Sequence, residues 1–194
     1  HGIQFFITTG NHDPAGPFAQ ESGKNDFFGS GGKRQPIFSK KGLYQPKSND
    51  ENAVVVTQDI AKMGYLGITT ELKDFGFFPK ENNAFWATPF STYSFDTYNY
   101  TKATEAASLT NRMYSVTPGY SVPDVSYVVE PVPGLWLLAI DGNVYIPKKE
   151  AVENSKDSKE YSDASLGYNT VLSHKKHLIK WVGEISDEAK KRGK

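Results

Sequence analysis

Three stretches of the chain carry clear periodic patterning. Residues 3–9, Ile-Gln-Phe-Phe-Ile-Thr-Thr, form a short apolar run that Gly10 stops, which predicts a buried strand ending in a sharp turn. Residues 126–130, the turn Pro131-Val132-Pro133-Gly134 and the apolar run from Leu135 to Asn143 predict a hairpin feeding a second buried strand. From Ser173 to Arg192, Leu178, Trp181, Val182, Ile185 and Ala189 fall on one stripe of a helix. Lys190, Lys191 and Arg192 complement the C-terminal end of that helix, and Gly193 closes it.

Between these stretches the pattern is weaker. Residues 14–36 carry Gly16, Gly23, Gly29, Gly31 and Gly32 among polar positions and predict a flexible, loop-rich connection. Ile60, Met63, Leu66 and Leu72 suggest a helix within residues 52–73, broken by Gly64 and Gly67. Alternation over residues 91–96 suits a strand with one exposed face. Residues 102–112 suggest a helix, followed by a turn at Pro118-Gly119. Residues 144–163, rich in Lys, Glu, Ser and Asp, predict a solvated excursion. Residues 75–100 hold ten aromatic side chains, from Phe75 to Tyr100. They suit either a core built of rings or an aromatic wall that stacks on a substrate.

Composition narrows the partners. Lys plus Arg and Asp plus Glu both number 22, so charge gives no signal for nucleic acid or an acidic membrane surface. The absence of cysteine excludes disulfides and Cys-ligated zinc. No run of about 18 apolar residues occurs, so this chain holds no predicted membrane segment, and its compartment is not fixed. Gly29-Ser30-Gly31-Gly32-Lys33 lacks the spacing of a phosphate loop, and Arg34 stands where a Ser or Thr belongs. Lys33, Arg34 and Arg112 read as solvated charges, although each could approach a phosphate. His174 and His177 lie three apart on a helix, but Lys175 and Lys176 between them make a poor metal pair, so solvated histidines are expected.

The candidate chemistry sits at Gly10-Asn11-His12-Asp13, directly after the first apolar run. An Asn amide oxygen is a hard neutral ligand for Mn, Mg, Fe or Zn, and an imidazole beside it can reach a phosphoryl or leaving-group oxygen. The plainer alternative is a turn in which Asn11 or Asp13 caps its own backbone. This tetrapeptide at a strand end resembles the G-N-H-D motif of the calcineurin-like metallophosphoesterases. The hairpin ending in Ile140-Asp141-Gly142 and the Trp181-bearing helix resemble, in order, that family's later segments. The resemblance implies an α/β (α+β) fold, part of a β-sandwich flanked by helices with long loop insertions. Residues 14–123 would form an aromatic, substrate-side insertion, and residues 124–194 the hairpin strand and amphipathic helix.

By the same resemblance, Asn11 is a metal ligand, His12 a catalytic acid, and Asp13 orients His12. Asp141 lies near the site as a supporting group, against the equally weighted alternative of a turn residue that ends its strand. The implied cofactors are two divalent metal ions (Mn, Fe, Zn or Mg), and the implied substrate is a phosphate-ester small molecule or a phosphorylated partner. The family's remaining ligand motifs are missing from this sequence, so the resemblance implies an incomplete piece of a catalytic domain, inactive by itself. The alternative reading is a non-catalytic binding module with a degenerate site.

Overall fold

A computed structural model describes residues 4–10, 24–28, 30–38, 52–60, 64–146 and 168–194. It is a mixed α/β protein with four helices and three small sheets among those residues. β1 (Lys24–Phe28) and β2 (Arg34–Phe38) pair antiparallel, and β3 (Val55–Val56) pairs parallel to β2. β4 (Phe85–Ala87), β7 (Tyr127–Val132) and β8 (Leu135–Ala139) form an antiparallel sheet in the order β4-β7-β8. β5 (Met113–Thr117) and β6 (Tyr120–Pro123) form a separate hairpin around Pro118-Gly119. The helices are α1 (Gly64–Glu71), α2 (Tyr100–Ala107), α3 (Tyr168–His174) and α4 (Lys176–Arg192).

β7 is the central strand and explains the architecture. Successive strand residues face opposite sides, and here both sides are covered. Tyr127 and Val129 point into a cluster with Trp86, Tyr65 of α1 and Ala103 and Ala107 of α2. Val128 points the other way, into a cluster with Phe85, Val122 of β6 and Leu178 and Trp181 of α4. Burial on both faces is why the strand reads as a continuous apolar run rather than an alternation. The hairpin expected over residues 126–143 is present, with Val128 opposite Leu138 and Val129 opposite Leu137, although its second strand stops at Ala139.

Several expectations are corrected. Residues 4–10 form no strand: the Ile7 amide donates to Phe75 O, and its carbonyl is taken by the Tyr127 hydroxyl, so no ladder develops. Within the expected loop of residues 14–36, β1 and β2 pair, and Gly31 and Gly32, both at φ 71°, supply the left-handed turn between them; residues 11–23 and 29 lie outside the described set. Of the helix expected within residues 52–73, α1 covers Gly64–Glu71, while β-branched Val55 and Val56 are extended and residues 61–63 lie outside the described set. Residues 91–96 are not a strand: Ser94 and Thr97 bond each other's backbone and close a 3₁₀ turn over Phe95–Thr97. The helix expected over residues 102–112 ends at Ala107. Val144 and Tyr145 are buried rather than solvated, while residues 147–163 lie outside the described set.

Arg112 is also corrected. It is fully buried, with its guanidinium over the Trp86 ring (5.0 Å) and the Phe78 ring (5.4 Å), and Nη2 donates to the carbonyls of Phe77 and Ala107. Burial pulls its pKa down to about 10, against the opposing pull of Asp124. It acts as a core cation that ties α2 to the turn at Phe77 and is no phosphate ligand. The aromatic stretch splits in the same sense: Phe77, Phe85 and Trp86 are core residues.

Gly76 links this core to the start of the chain. It sits at φ 108°, and a Cβ there would overlap the Tyr127 hydroxyphenyl group that holds Ile7. Gly76→Ala is expected to destabilise the fold by about 2–4 kcal/mol, combining overpacking with the positive-φ penalty. Gly183→Ala, with open space around it in α4, should instead stabilise by up to about 1 kcal/mol. Urea denaturation of both variants checks the pair, and similar midpoints for the two would contradict it.

Candidate functional site

β8 leads to the candidate site. Two residues beyond the strand, at Asp141, the chain turns, and the Asp141 carboxylate is completely buried. Its Oδ1 accepts from the Thr9 hydroxyl (3.0 Å), the Asn143 amide nitrogen (3.2 Å) and the Asn143 side-chain Nδ2 (2.8 Å). Its Oδ2 accepts from the Tyr65 hydroxyl (2.8 Å) and from Lys175 Nζ (3.1 Å). Five donors on one carboxylate replace the water it has lost. Burial, followed by the nearby Asp141 charge, raises the Tyr65 phenol well above its ordinary range, so Tyr65 stays a donor.

The same group holds the residues that precede the motif. Asn143 Nδ2 also reaches Gly10 O (3.2 Å), and the Thr8 hydroxyl donates to Ile140 O (2.8 Å). Thr8, Thr9 and Gly10 are thus laid along the end of β8, immediately before Asn11. Asn11, His12 and Asp13 themselves lie outside the described residues. Of the residues expected at the site, the structure therefore places Asp141, which holds the Thr9 hydroxyl, while Asn143 reaches the Gly10 carbonyl.

A second buried carboxylate completes the cluster. Asp124 follows β6 and is fully buried; its Oδ2 faces Lys175 Nζ (3.6 Å) and His177 Nε2 (2.9 Å), and its Oδ1 accepts from the Ser126 amide (2.9 Å). The Ser126 hydroxyl in turn accepts from the Asp141 amide (2.9 Å). Burial pushes the Asp124 carboxyl up, but Lys175, His177 and Ser126 outweigh it and hold the group at about 2. His177 is packed against Phe90 and Tyr114, each 5.0 Å between ring centres. The expectation of a solvated His177 is therefore corrected: its ring is bound to Asp124, beside a buried Lys175.

These groups do not suit a metal ion. The Asp141 and Asp124 oxygens are engaged by hydroxyl, amide, imidazole and ammonium donors, and Lys175 sits between the two carboxylates. Among the described residues, no three His, Cys, Asp or Glu side chains converge to hold a metal. Nor is any described helix long and apolar enough to cross a membrane. No family model, curated protein or solved structure matches the chain.

Sequence reasoning missed Thr9, Tyr65, Asp124, Asn143 and Lys175. One signal for Lys175 was available: with Val171, Leu178 and Val182 it occupies the apolar stripe of the last helical segment, a position where a solvated charge does not belong.

The depressed Asp124 pKa fixes a pH dependence. A group held at about 2 against an ordinary 3.8 contributes its stability fully above about pH 4 and loses it as pH falls toward 2. Its share is on the order of 2 kcal/mol. Urea unfolding at pH 5 and pH 2.5 should show the native chain losing about that much more than Asp124→Asn. Parallel losses in the two proteins would refute the assignment.

Proposed function

We propose that this chain forms part of a metal-dependent hydrolase of phosphomonoesters or phosphodiesters, built on a calcineurin-like phosphoesterase scaffold. The observation that carries the reading is the anchoring of Thr9 and Gly10 by Asp141 and Asn143, which ties the entry to Asn11-His12-Asp13 to a saturated buried network. A turn that must hold reacting groups within a fraction of an ångström needs such support. A turn serving only to reverse the chain does not.

In this reading Asn11 contributes one oxygen ligand to a divalent metal, and the other ligands come from outside the described residues. The metal pair, when bound, neutralises charge on the phosphoryl oxygens. His12 gives a proton to the departing ester oxygen as the P–O bond breaks and a water oxygen bonds to phosphorus. Asp13 holds the His12 ring, and Asp141 acts on the turn through Thr9 and Asn143 without touching substrate. The competing reading, a binding module with a degenerate site, is favoured by the lack of a metal-ligating cluster among the described residues.

The two readings separate in one assay. Hydrolysis of bis(p-nitrophenyl) phosphate is measured with and without manganese, on this chain and on the chain lengthened at both ends by the flanking sequence of its parent protein. Manganese-dependent turnover by the longer protein supports the hydrolase. In that protein His12→Ala should lower turnover by roughly 10²–10⁴-fold with manganese occupancy unchanged. Asn11→Ala should weaken manganese binding by on the order of tenfold or more. Failure of both chain lengths to turn over or to bind manganese would overturn the reading in favour of a binding module.

A further inference from the structure

A cleft of about 360 Å³ opens between one face of α4 and the loop that follows β4. Trp181, Glu184, Glu188 and Lys191 line it from α4, while Phe95 and Asp96 stand opposite. Its two walls are tied together. Arg192 donates to Asp96 Oδ2 on the loop (2.6 Å) and to Glu188 Oε1 on its own helix. Its guanidinium also lies 4.4 Å from the centre of the Phe95 ring. The opening is therefore set before any ligand arrives, as in sites that are largely pre-formed.

The apolar part of the lining is a wall of rings. Phe85 and Trp136 stack at 5.0 Å, and Phe95 lies 5.3 Å from the first and 5.7 Å from the second. Phe95 and Trp136 are only partly buried, so this wall keeps an open side.

The polar part is rich in acceptors. Among the described residues Glu184 meets only Lys180, at 3.4 Å, and both side chains are mostly exposed. Glu188 Oε2 has Lys191 at 3.8 Å, beyond hydrogen-bond reach. Lys180, Lys191 and Arg192 nevertheless stand against Asp96, Glu184 and Glu188, so the charges cancel. Such a cleft gives little Coulomb advantage to a cation or to an anion.

It favours a neutral molecule with an apolar face for the rings and several hydroxyl donors along its edge for the carboxylates. A pyranose has this form. Its C–H bonds make an apolar face, and its neighbouring hydroxyls are close enough for one carboxylate to accept from two of them. A nucleobase stacks equally well but offers fewer donors. A quaternary ammonium lies well on rings but has no N–H for the carboxylates.

We propose that this cleft binds a neutral sugar ring, stacked on Phe95 and Trp136 with its hydroxyls directed to Glu184 and Glu188. The site does not depend on the hydrolase reading, and its test uses no activity.

Methyl β-glucopyranoside, methyl β-galactopyranoside and methyl α-mannopyranoside are titrated into the isotope-labelled chain, and the indole N–H signals of its three tryptophans are followed by NMR. Trp136 and Trp181 line the cleft, whereas Trp86 belongs to the opposite cluster and serves as the internal reference. At least one glycoside is expected to shift Trp136 or Trp181 saturably, with a Kd of roughly 1–10 mM, and to leave Trp86 in place. Saturation of the protein's aromatic protons should then pass chiefly to the C–H protons on one face of that sugar. Cyclohexanol, a ring without the hydroxyl array, should bind at least tenfold more weakly. Glu184→Ala, at an exposed helix position that alanine suits, should weaken sugar binding at least fivefold with the Trp86 signal unchanged.

The absence of a saturable shift with all three glycosides would overturn the proposal. A stronger response to choline or to adenosine would also overturn it, in favour of a site for a cation or a planar ring. Equal binding by Glu184→Ala would do the same, by removing the carboxylate from the contact.

Discussion

The pairing of the Asp141 carboxylate with Lys175, both without exposed surface, is the constraint around which the described elements are arranged. An ionised carboxylate taken out of water costs several kcal/mol unless donors replace its hydration. The donors come from separate places in the chain: Thr9 before the motif, Tyr65 on α1, Asn143 after β8, and Lys175 between α3 and α4. Asp124, at the end of β6, joins the same ammonium and brings His177 of α4 with it. None of these elements can shift alone without stranding a buried charge. The network therefore contributes more to fixing one arrangement than to net stability, since a buried ion pair of this kind about offsets its own desolvation.

The two apolar clusters are less exacting, and they show what an element gains from each face of the sheet. Phe85 and Trp136 stack at 5.0 Å on the α4 side, while Trp86 and Tyr127 lie nearly parallel at 6.5 Å on the other. Trp86 Nε1 donates to Gly76 O, and the Tyr127 hydroxyl donates to Ile7 O. Each large ring thus fills volume and also pins a backbone segment with its polar tip. At the far end of the sheet Glu130 does similar work: its buried carboxylate accepts from the Gly134 amide, Trp136 Nε1 and Lys194 Nζ, which fastens the end of the chain to the β7-β8 turn.

What the sequence disclosed follows from how local each cause is. The β7-β8 hairpin was legible because a doubly covered strand is continuously apolar and Pro133-Gly134 marks its turn. The last helix was legible from its stripe, yet its interruption was not, because a lysine on an apolar stripe looks the same in sequence whether it snorkels outward or pairs inward. The β1-β2 hairpin was hidden by its glycines, which argue for looseness until two of them are seen to take up the left-handed turn. Asp141 could be read only as near the site or as a turn residue. In the structure its carboxylate closes the turn onto Asn143 and also holds the Thr9 hydroxyl. Its partners Tyr65 and Lys175 are 76 and 34 residues away, and Asp124, joined to it through Lys175, is 17 away; no local pattern points across such spans.

The rings of residues 75–100 bear on where a substrate could be recognised. Phe85, Tyr93 and Phe95 of this stretch line a cleft of about 360 Å³ together with Trp136 and Trp181. Trp136 lies at the start of β8 and Asp141 two residues past its end, which at about 3.3 Å per residue separates them by roughly 15 Å. The rings of the cleft therefore lie away from Asp141 and the Thr9 side chain it holds. The buried cluster cannot take their place, since its carboxylate oxygens and ammonium protons are already matched to one another. Asp141 and Lys175 are committed to each other and to Thr9, Tyr65 and Asn143, and with no exposed surface they do not meet a phosphate.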